Sequence, residues 1–153
     1  MPPDKRVLLI VDDHLSNIQL LHEIFKDDYE VHMATSGQQA LDMCHLSQPD
    51  LILLDIVMPE MDGYAVCQLL KSDPLTENIP VIFVTADNDP LEAARGLDVG
   101  GVDFIAKPFH IKVVQARVRT HMILKHQSDV LLVDGNDRWP YRRGKPPPFR
   151  RLA

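Results

Sequence analysis

Short apolar runs alternate regularly with amphipathic stretches along this chain. Each run is roughly four to six residues long, aliphatic or β-branched, and bounded by polar, Pro or Gly residues, which is typical of buried strands. The runs are Val7–Val11, Val31–Ala34, Leu51–Leu54, Val81–Val84 and Val102–Ala106. The pattern therefore predicts five strands.

The stretches between the runs have the apolar spacing of helices. Ser16 is the predicted N-cap of the first helix, whose buried face carries Ile18, Leu21 and Phe25. The following helices are predicted at Gln38–Leu46, at Tyr64–Leu70, at Leu91–Val99 after Asp89 and Pro90, and from Ile111 with no breaker before Gly135. Because the connections are short, the strands should form a parallel sheet with helices on both faces.

The composition changes abruptly near the carboxyl end. The chain has 153 residues, enough for one domain with a full core, and a net charge of −6. From Arg138 onward it has six basic residues, no acids and four prolines, so the preceding part carries ten basic against 22 acidic residues, a charge of −12. That charge argues against nucleic-acid binding by the body. No apolar run approaches the roughly 18 residues of a membrane span, and a cytoplasmic location is predicted.

Polar side chains follow four of the five strands directly. Asp12 and Asp13 follow the first strand, Asp55 the third, Thr85 the fourth, and Lys107 with Pro108 the fifth. The carboxyl ends of parallel strands meet at one edge of a sheet, where such folds place their functional crevice. We therefore expect three carboxylates, a hydroxyl and an ammonium group to converge there.

This residue set favours phosphate chemistry. Three close carboxylates repel one another unless a cation neutralises them, and oxygen ligands of this kind suit Mg²⁺ with a phosphate oxygen. The Lys and Thr side chains can bind the remaining phosphoryl oxygens, and one carboxylate can be the nucleophile that forms an acyl phosphate. The sequence thus predicts a phosphate arriving at a magnesium ion.

Four segments carry a resemblance to a known family. "VLLIVDDH", "LILLDIVMPEMDGY", "VIFVTA" and "VDFIAKPF" together resemble the receiver domain of bacterial two-component response regulators. The resemblance covers residues 5–126 and implies a flavodoxin-like, doubly wound α/β fold, (βα)5, with strand order 2-1-3-4-5. Residues 127–153 are then a helical extension and a basic, Pro-rich tail outside the fold.

The resemblance also implies roles for individual residues. Asp55 would accept a phosphoryl group from a sensor histidine kinase or a phosphotransfer protein. Asp12, Asp13, Asp55 and the backbone carbonyl of Val57 would hold Mg²⁺. Lys107 and Thr85 would bind the phosphoryl oxygens, Phe104 would be the switch aromatic residue, and Val57 and Asp87 would tune dephosphorylation.

Further expectations concern the surroundings of the site. The Lys107–Pro108 bond is expected to be cis. The output domain or partner is expected on the face of the fourth helix, fifth strand and fifth helix, and the long last helix could form a homodimer. No enzymatic turnover is expected beyond the receiver's own phosphorylation and dephosphorylation.

Two alternatives remain open from the residues alone. A haloacid dehalogenase-type Mg²⁺ phosphatase also uses strand-end Asp, Thr and Lys, but its nucleophile lies on the first strand in an Asp-x-Asp pattern, whereas Asp12 and Asp13 are adjacent. The other alternative is a stand-alone receiver that acts only by protein–protein binding.

The tail suggests an output. "ARVRTHMILK" at 116–125 resembles receivers that precede cyclic di-GMP enzymes. One permitted codon choice for the residues from Arg138 onward, shifted by one base, reads DGLTGVANRRHFDDL, which is similar to the opening of the GGDEF domain of diguanylate cyclases. A frameshifted remnant of such a domain is therefore predicted, against a natural basic extension or vector-derived residues.

Overall fold

The computed structural model describes residues 5–86 and 90–138, with side chains described as far as Leu131. Strands and helices alternate throughout this part of the chain. The strands are β1 (Val7–Val11), β2 (Glu30–Ala34), β3 (Leu51–Asp55), β4 (Val81–Thr85) and β5 (Asp103–Ala106). The helices are α1 (Leu15–Phe25), α2 (Gly37–Leu46), α3 (Gly63–Lys71), α4 (Pro90–Asp98) and α5 (Ile111–Arg138).

The strands form one sheet in the order β2-β1-β3-β4-β5, and every neighbouring pair is parallel. This confirms the predicted flavodoxin-like, doubly wound α/β fold. The order reverses direction at β1, so the crevice above β1 and β3 is the point where ligands bind in open parallel sheets.

The alternation of side chains along each strand divides the core into two layers. Leu8 and Ile10 of β1 belong to the layer that packs under α1 and α5, with Val114, Val118 and Met122 of α5 buried there. Leu9 and Val11 belong to the opposite layer, under α2 and α3. The central strands β3 and β4 are buried along their full length, which explains why their sequences show unbroken apolar runs.

Element boundaries differ from prediction at several positions. Strand pairing extends one residue further in β3 and β4, so Asp55 and Thr85 are the last residues of their strands. The N-cap of α1 is His14, and the prediction of Ser16 was wrong. The helix starts earlier because the Asp12 Oδ1 accepts a hydrogen bond of 2.9 Å from the backbone N–H of His14 and turns the chain at once.

Helix α5 continues to Arg138, past Gly135 and well past residue 126, where the predicted domain boundary falls. Asp87, Asp89 and the tail from Trp139 onward lie outside the described residues. No helix in the described ranges is both long enough and apolar enough to cross a membrane.

Candidate functional site

The sheet register brings the predicted polar residues to one edge. Val11 is paired with Ala34 on one side and Leu54 on the other, so Asp12 follows β1 beside the end of β3. Asp55 is paired with Val84, and Thr85 is paired with Ala106, the residue before Lys107. Neighbouring strands therefore end at nearly the same level, and the polar residues at or just after their ends lie side by side.

Asp12 lies at this edge, is only 2% exposed and makes three hydrogen bonds. Its backbone N–H donates to the Ala34 carbonyl at 3.1 Å. Its Oδ2 accepts from Asn17 Nδ2 at 3.1 Å, and its Oδ1 from the His14 backbone. Sequence reasoning missed Asn17, although its position in the first turn of the helix after an acid pair was an available signal.

Asp55 is 3% exposed and shares one cation with Asp12. Lys107 Nζ lies 3.3 Å from Asp55 Oδ1 and 3.4 Å from Asp12 Oδ2. The loop after Asp55 folds back tightly, because a Cβ on Gly63 would lie 2.4 Å from the Asp55 carbonyl oxygen. Only glycine fits that close approach, so the "DG" of the sequence is a packing requirement here.

The electrostatics of the pocket leave Asp55 hard to ionise. Burial raises its pKa, the neighbouring Asp12 carboxylate raises it further, and the Lys107 ammonium lowers it, with a net value of about 6. One ammonium group thus does not neutralise the acids around it. A further positive charge would stabilise the ionised form of Asp55.

The surroundings of Asp13 indicate where a cation would bind. Its Oδ1 is the single side-chain oxygen in the described part of the chain that is buried without a hydrogen-bond partner. Single ligand atoms of Asp12, Asp13, His14 and Asp55 all lie within 4.8 Å of one another. Hard carboxylate oxygens converging in this way fit Mg²⁺. The Val57 side chain, two residues past Asp55 in the sequence, is 76% exposed.

Two other predicted residues lie on neighbouring parts of the edge. Thr85 is 7% exposed, and its carbonyl accepts the backbone N–H of Lys107 at 2.8 Å. The ring of Phe104 is half-buried and packs on Phe83 with ring centroids 5.6 Å apart. A Cβ on Gly96 would lie 2.3 Å from Phe104 Cζ, so the ring packs directly against α4. The Lys107–Pro108 peptide bond is cis.

A tie between α3 and α4 had no signal in the sequence. The Tyr64 hydroxyl donates to Glu92 Oε1 at 2.7 Å, and the Arg95 guanidinium stacks 4.3 Å above the Tyr64 ring. The Tyr64 ring in turn packs on Phe83, with centroids 5.4 Å apart. An aromatic row, Tyr64–Phe83–Phe104, therefore packs against α4.

Comparisons with known proteins agree with this geometry. The chain is 42% identical over 125 residues to a Vibrio cholerae protein named a probable cyclic di-GMP phosphodiesterase, covering 82% of this chain and 28% of that protein. It is 43% identical over 114 residues to the response regulator PleD of Caulobacter vibrioides, covering 74% and 25%. The chain thus spans about a quarter of the length of these relatives.

Solved structures show the same architecture. The chemotaxis response regulator CheY4 of Vibrio cholerae superimposes with a TM-score of 0.74 at 25% identity, covering 77% of this chain and 99% of that one. The family model described as the response regulator receiver domain matches residues 8–119. With the buried Asp55, the acid pair and Lys107 at the sheet edge, the chain belongs to the response regulator receiver domain family.

Proposed function

We propose that Asp55 accepts a phosphoryl group from the phosphohistidine of a sensor histidine kinase or phosphotransfer protein, in a site that holds Mg²⁺ with Asp12, Asp13, Asp55 and the Val57 carbonyl. The observation that carries this proposal is the buried Asp55 carboxylate, 3.3 Å from the Lys107 ammonium and beside the acid pair. The family match and the position of Asp55 on the third strand favour this function over a haloacid dehalogenase-type phosphatase.

The ionised Asp55 is the nucleophile. One of its carboxylate oxygens forms a bond to phosphorus while the bond from phosphorus to the donor's ring nitrogen breaks, and the nitrogen keeps the electron pair. When bound, Mg²⁺ supplies charge that neutralises the phosphoryl oxygens and the acids together. Because the Asp55 pKa is about 6 even without the ion, an appreciable fraction is ionised at neutral pH.

Lys107 and Thr85 act on the product. The phosphoryl group replaces one negative charge at Asp55 by about two, and the Lys107 ammonium is already within ion-pair distance to balance it. The Thr85 hydroxyl then hydrogen-bonds a phosphoryl oxygen. Val57, whose side chain is 76% exposed, and Asp87 would set the access of water that hydrolyses the acyl phosphate.

The readout follows the aromatic row. Phe104 and Phe83 pack on each other and both contact Gly96 of α4, so a shift of Thr85 on β4 would change the position of α4. The surface that responds is the face of α4, β5 and α5, where an output domain or partner protein would bind. The long α5 is the element through which two copies would form a homodimer.

The test of the phosphoacceptor is labelling by a small phosphodonor. Acetyl phosphate with Mg²⁺ should label the wild-type chain at one site, and chelation of the metal should prevent it. Asp55→Asn should remove the label entirely. Asp27→Asn, a change to an exposed acid in the loop after α1, should label like wild type. Undiminished labelling of Asp55→Asn would refute the assignment.

The output is proposed to be a cyclic di-GMP enzyme. The relative named a probable cyclic di-GMP phosphodiesterase supports this second messenger, while the shifted reading of the tail favours a diguanylate cyclase. On this proposal the receiver covers residues 5–126, the protein is cytoplasmic, and residues 127–153 form an extension with a frameshifted tail. Sequencing the coding DNA from codon 126 onward tests it: a shifted frame that continues through a GGDEF signature supports a cyclase, and a frame that closes at once contradicts it.

A further inference from the structure

An imidazole lies beside the acidic cluster of Asp12, Asp13 and Asp55. His14 Nδ1 is 3.2 Å from Asp13 Oδ1 and 3.4 Å from Asp12 Oδ1. The four groups whose ligand atoms lie within 4.8 Å of one another include one ring nitrogen of His14 as the single non-oxygen donor. The strand-end carboxylates thus form only part of the donor set that the fold assembles.

The backbone explains why the ring lies there. His14 is the N-cap of α1 with an extended conformation, φ −106° and ψ 115°, and its N–H is tied to Asp12 Oδ1. Its side chain makes no capping hydrogen bond to the helix, unlike Ser36 and Asp62, which cap α2 and α3. The His14 ring is therefore not used to cap the helix. It contacts the carboxylates of Asp12 and Asp13 instead.

The distances agree with shared coordination. Donors bound to one ion at about 2.0–2.2 Å lie about 3.0–3.5 Å from each other in octahedral or tetrahedral geometry. The nitrogen-to-oxygen distances of 3.2 and 3.4 Å fall in that range without any movement of the backbone. The ring is 65% exposed, so it can also turn toward an ion without breaking buried packing.

We propose that His14 is a ligand for late first-row divalent ions such as Zn²⁺ and Co²⁺ at this site, and that residue 14 therefore sets which metals compete with Mg²⁺. Carboxylate oxygens suit Mg²⁺, whereas an imidazole nitrogen adds affinity for Zn²⁺, Co²⁺ or Ni²⁺ and little for Mg²⁺. The inference rests on the proposed function only in taking the acid cluster as a divalent-ion site.

The test measures metal binding and not signalling. Calorimetric titration of the untagged full chain with Zn²⁺, Co²⁺ and Mg²⁺ would compare wild type with His14→Gln. His22→Gln, a change on the same helix away from the pocket, is the matched control. Replacing one ligand should weaken Zn²⁺ and Co²⁺ binding by about 10- to 100-fold in His14→Gln, leave His22→Gln unchanged, and alter Mg²⁺ binding less than twofold in both.

A spectroscopic readout makes the ligand identity explicit. The visible absorption bands of the Co²⁺-loaded protein should change with His14→Gln and stay the same with His22→Gln. Asp13→Asn should weaken Mg²⁺ and Co²⁺ alike, because its carboxylate serves both ions.

The outcomes separate the two proposals. Equal Zn²⁺ and Co²⁺ affinity and an identical Co²⁺ spectrum in His14→Gln would overturn the role of His14, leaving only an ion pair with the acids. Absence of Mg²⁺ binding by the wild-type chain would instead count against the proposed function. Loss of Zn²⁺ and Co²⁺ affinity with Mg²⁺ affinity retained supports His14 as a ligand.

Discussion

Clusters of acidic and basic side chains lie at both ends of the sheet, but only the cluster at the amino end balances its charges. At the amino end, Arg6 donates to Asp50 at 2.6 Å and to Asp129 at 3.0 Å, and it also contacts His126. Lys125, only 7% exposed, adds hydrogen bonds of 2.9 Å to Asp129. At the carboxyl end, Asp12, Asp13 and Asp55 share one ammonium group.

The pKa values of the two clusters differ accordingly. Burial alone would lower the pKa of Arg6, but hydrogen bonds to Asp129 and Asp50 raise it above its ordinary value. At the other end, burial and Asp12 raise the pKa of Asp55 to about 6 against the pull of Lys107. One cluster is therefore satisfied within the chain, whereas the other stays incomplete until something binds, which is what a site that receives charge requires.

The largest expected effect comes from breaking the amino-end cluster. Arg6→Met removes the cation that Asp50 and Asp129 share. Both carboxylates are partly buried, with side chains 22% and 19% exposed. We expect the free energy of unfolding to fall by about 2–3 kcal/mol, because hydrogen bonds to charged groups are each worth about that much. Urea unfolding measures it. Arg119→Met, at an exposed position of α5, should change it by less than about 0.5 kcal/mol. An equal decrease in unfolding free energy in Arg6→Met and Arg119→Met would show that the Arg6 cluster does not stabilise the fold.

At the carboxyl end, removing a charged side chain should increase the free energy of unfolding. The Asp55 pKa is about 6 in the folded chain and 3.8 ordinarily, so its protonated form contributes stability in full below pH 3.8, and this is lost as the pH rises through 6. Asp55→Asn should therefore raise the unfolding free energy of the metal-free protein by about 2–3 kcal/mol at pH 7.5, with the gain shrinking toward zero near pH 4.

The control for that gain is again Asp27→Asn, which should stay within about 0.5 kcal/mol of wild type at both pH values. Added Mg²⁺ should reduce the difference in unfolding free energy between Asp55→Asn and wild type, because it stabilises the wild-type site more than the variant site. A loss of stability in Asp55→Asn at pH 7.5 without metal would show that the carboxylate is satisfied in the folded chain.

The smallest effect concerns an exposed pair at the amino end. His45 Nε2 lies 2.7 Å from Asp73 Oδ2. The hydrogen bond to Asp73 raises the pKa of His45, and hydrogen bonds from the Leu75 backbone and then His45 lower that of Asp73. The His45 contribution is present below pH 6.5 and lost as the pH rises through its raised pKa. The Asp73 contribution is present above pH 3.8 and lost on acidification.

His45→Gln should therefore lower the thermal midpoint slightly at pH 5.5 and less at pH 8.5, as measured by circular dichroism melting. His32→Gln, whose ring pairs with Glu30 at 2.7 Å on the surface of β2, offers a comparison outside the α2–α3 region. An effect of His45→Gln that grows with pH would contradict the assigned sign.

Much of the site was predictable because its chemistry follows strand ends. The register confirms that Asp12, Asp55, Thr85 and Lys107 meet at one edge, since parallel strands of similar length end together. The cap of α1 was not predictable from the helix pattern alone. Ser16 is the better capping residue, but the bond from the His14 backbone to Asp12 started the helix before it.

The Arg6 cluster was invisible in the sequence for another reason. Asp50 and Asp129 lie 44 and 123 residues away from Arg6 along the chain, so no local pattern connects them. The same holds for the Phe104 ring, whose packing against Gly96 depends on how closely α4 approaches β4 and β5. Side chains of this kind acquire a role only when the elements that carry them are brought together.

The amino-acid sequence by itself determined the alternation of strands and helices, the parallel sheet and the identity of the strand-end residues, because apolar periodicity and turn chemistry act over a few residues. Tertiary structure alone decided the charge balance. Three features of this balance depend on distances between side chains that no sequence pattern states. Lys107 serves both Asp55 and Asp12, Asp13 Oδ1 is buried without a hydrogen-bond partner, and the His14 ring nitrogen lies 3.2 Å from that oxygen. Electrostatic interactions depend on those distances and on burial, which the order of residues does not state.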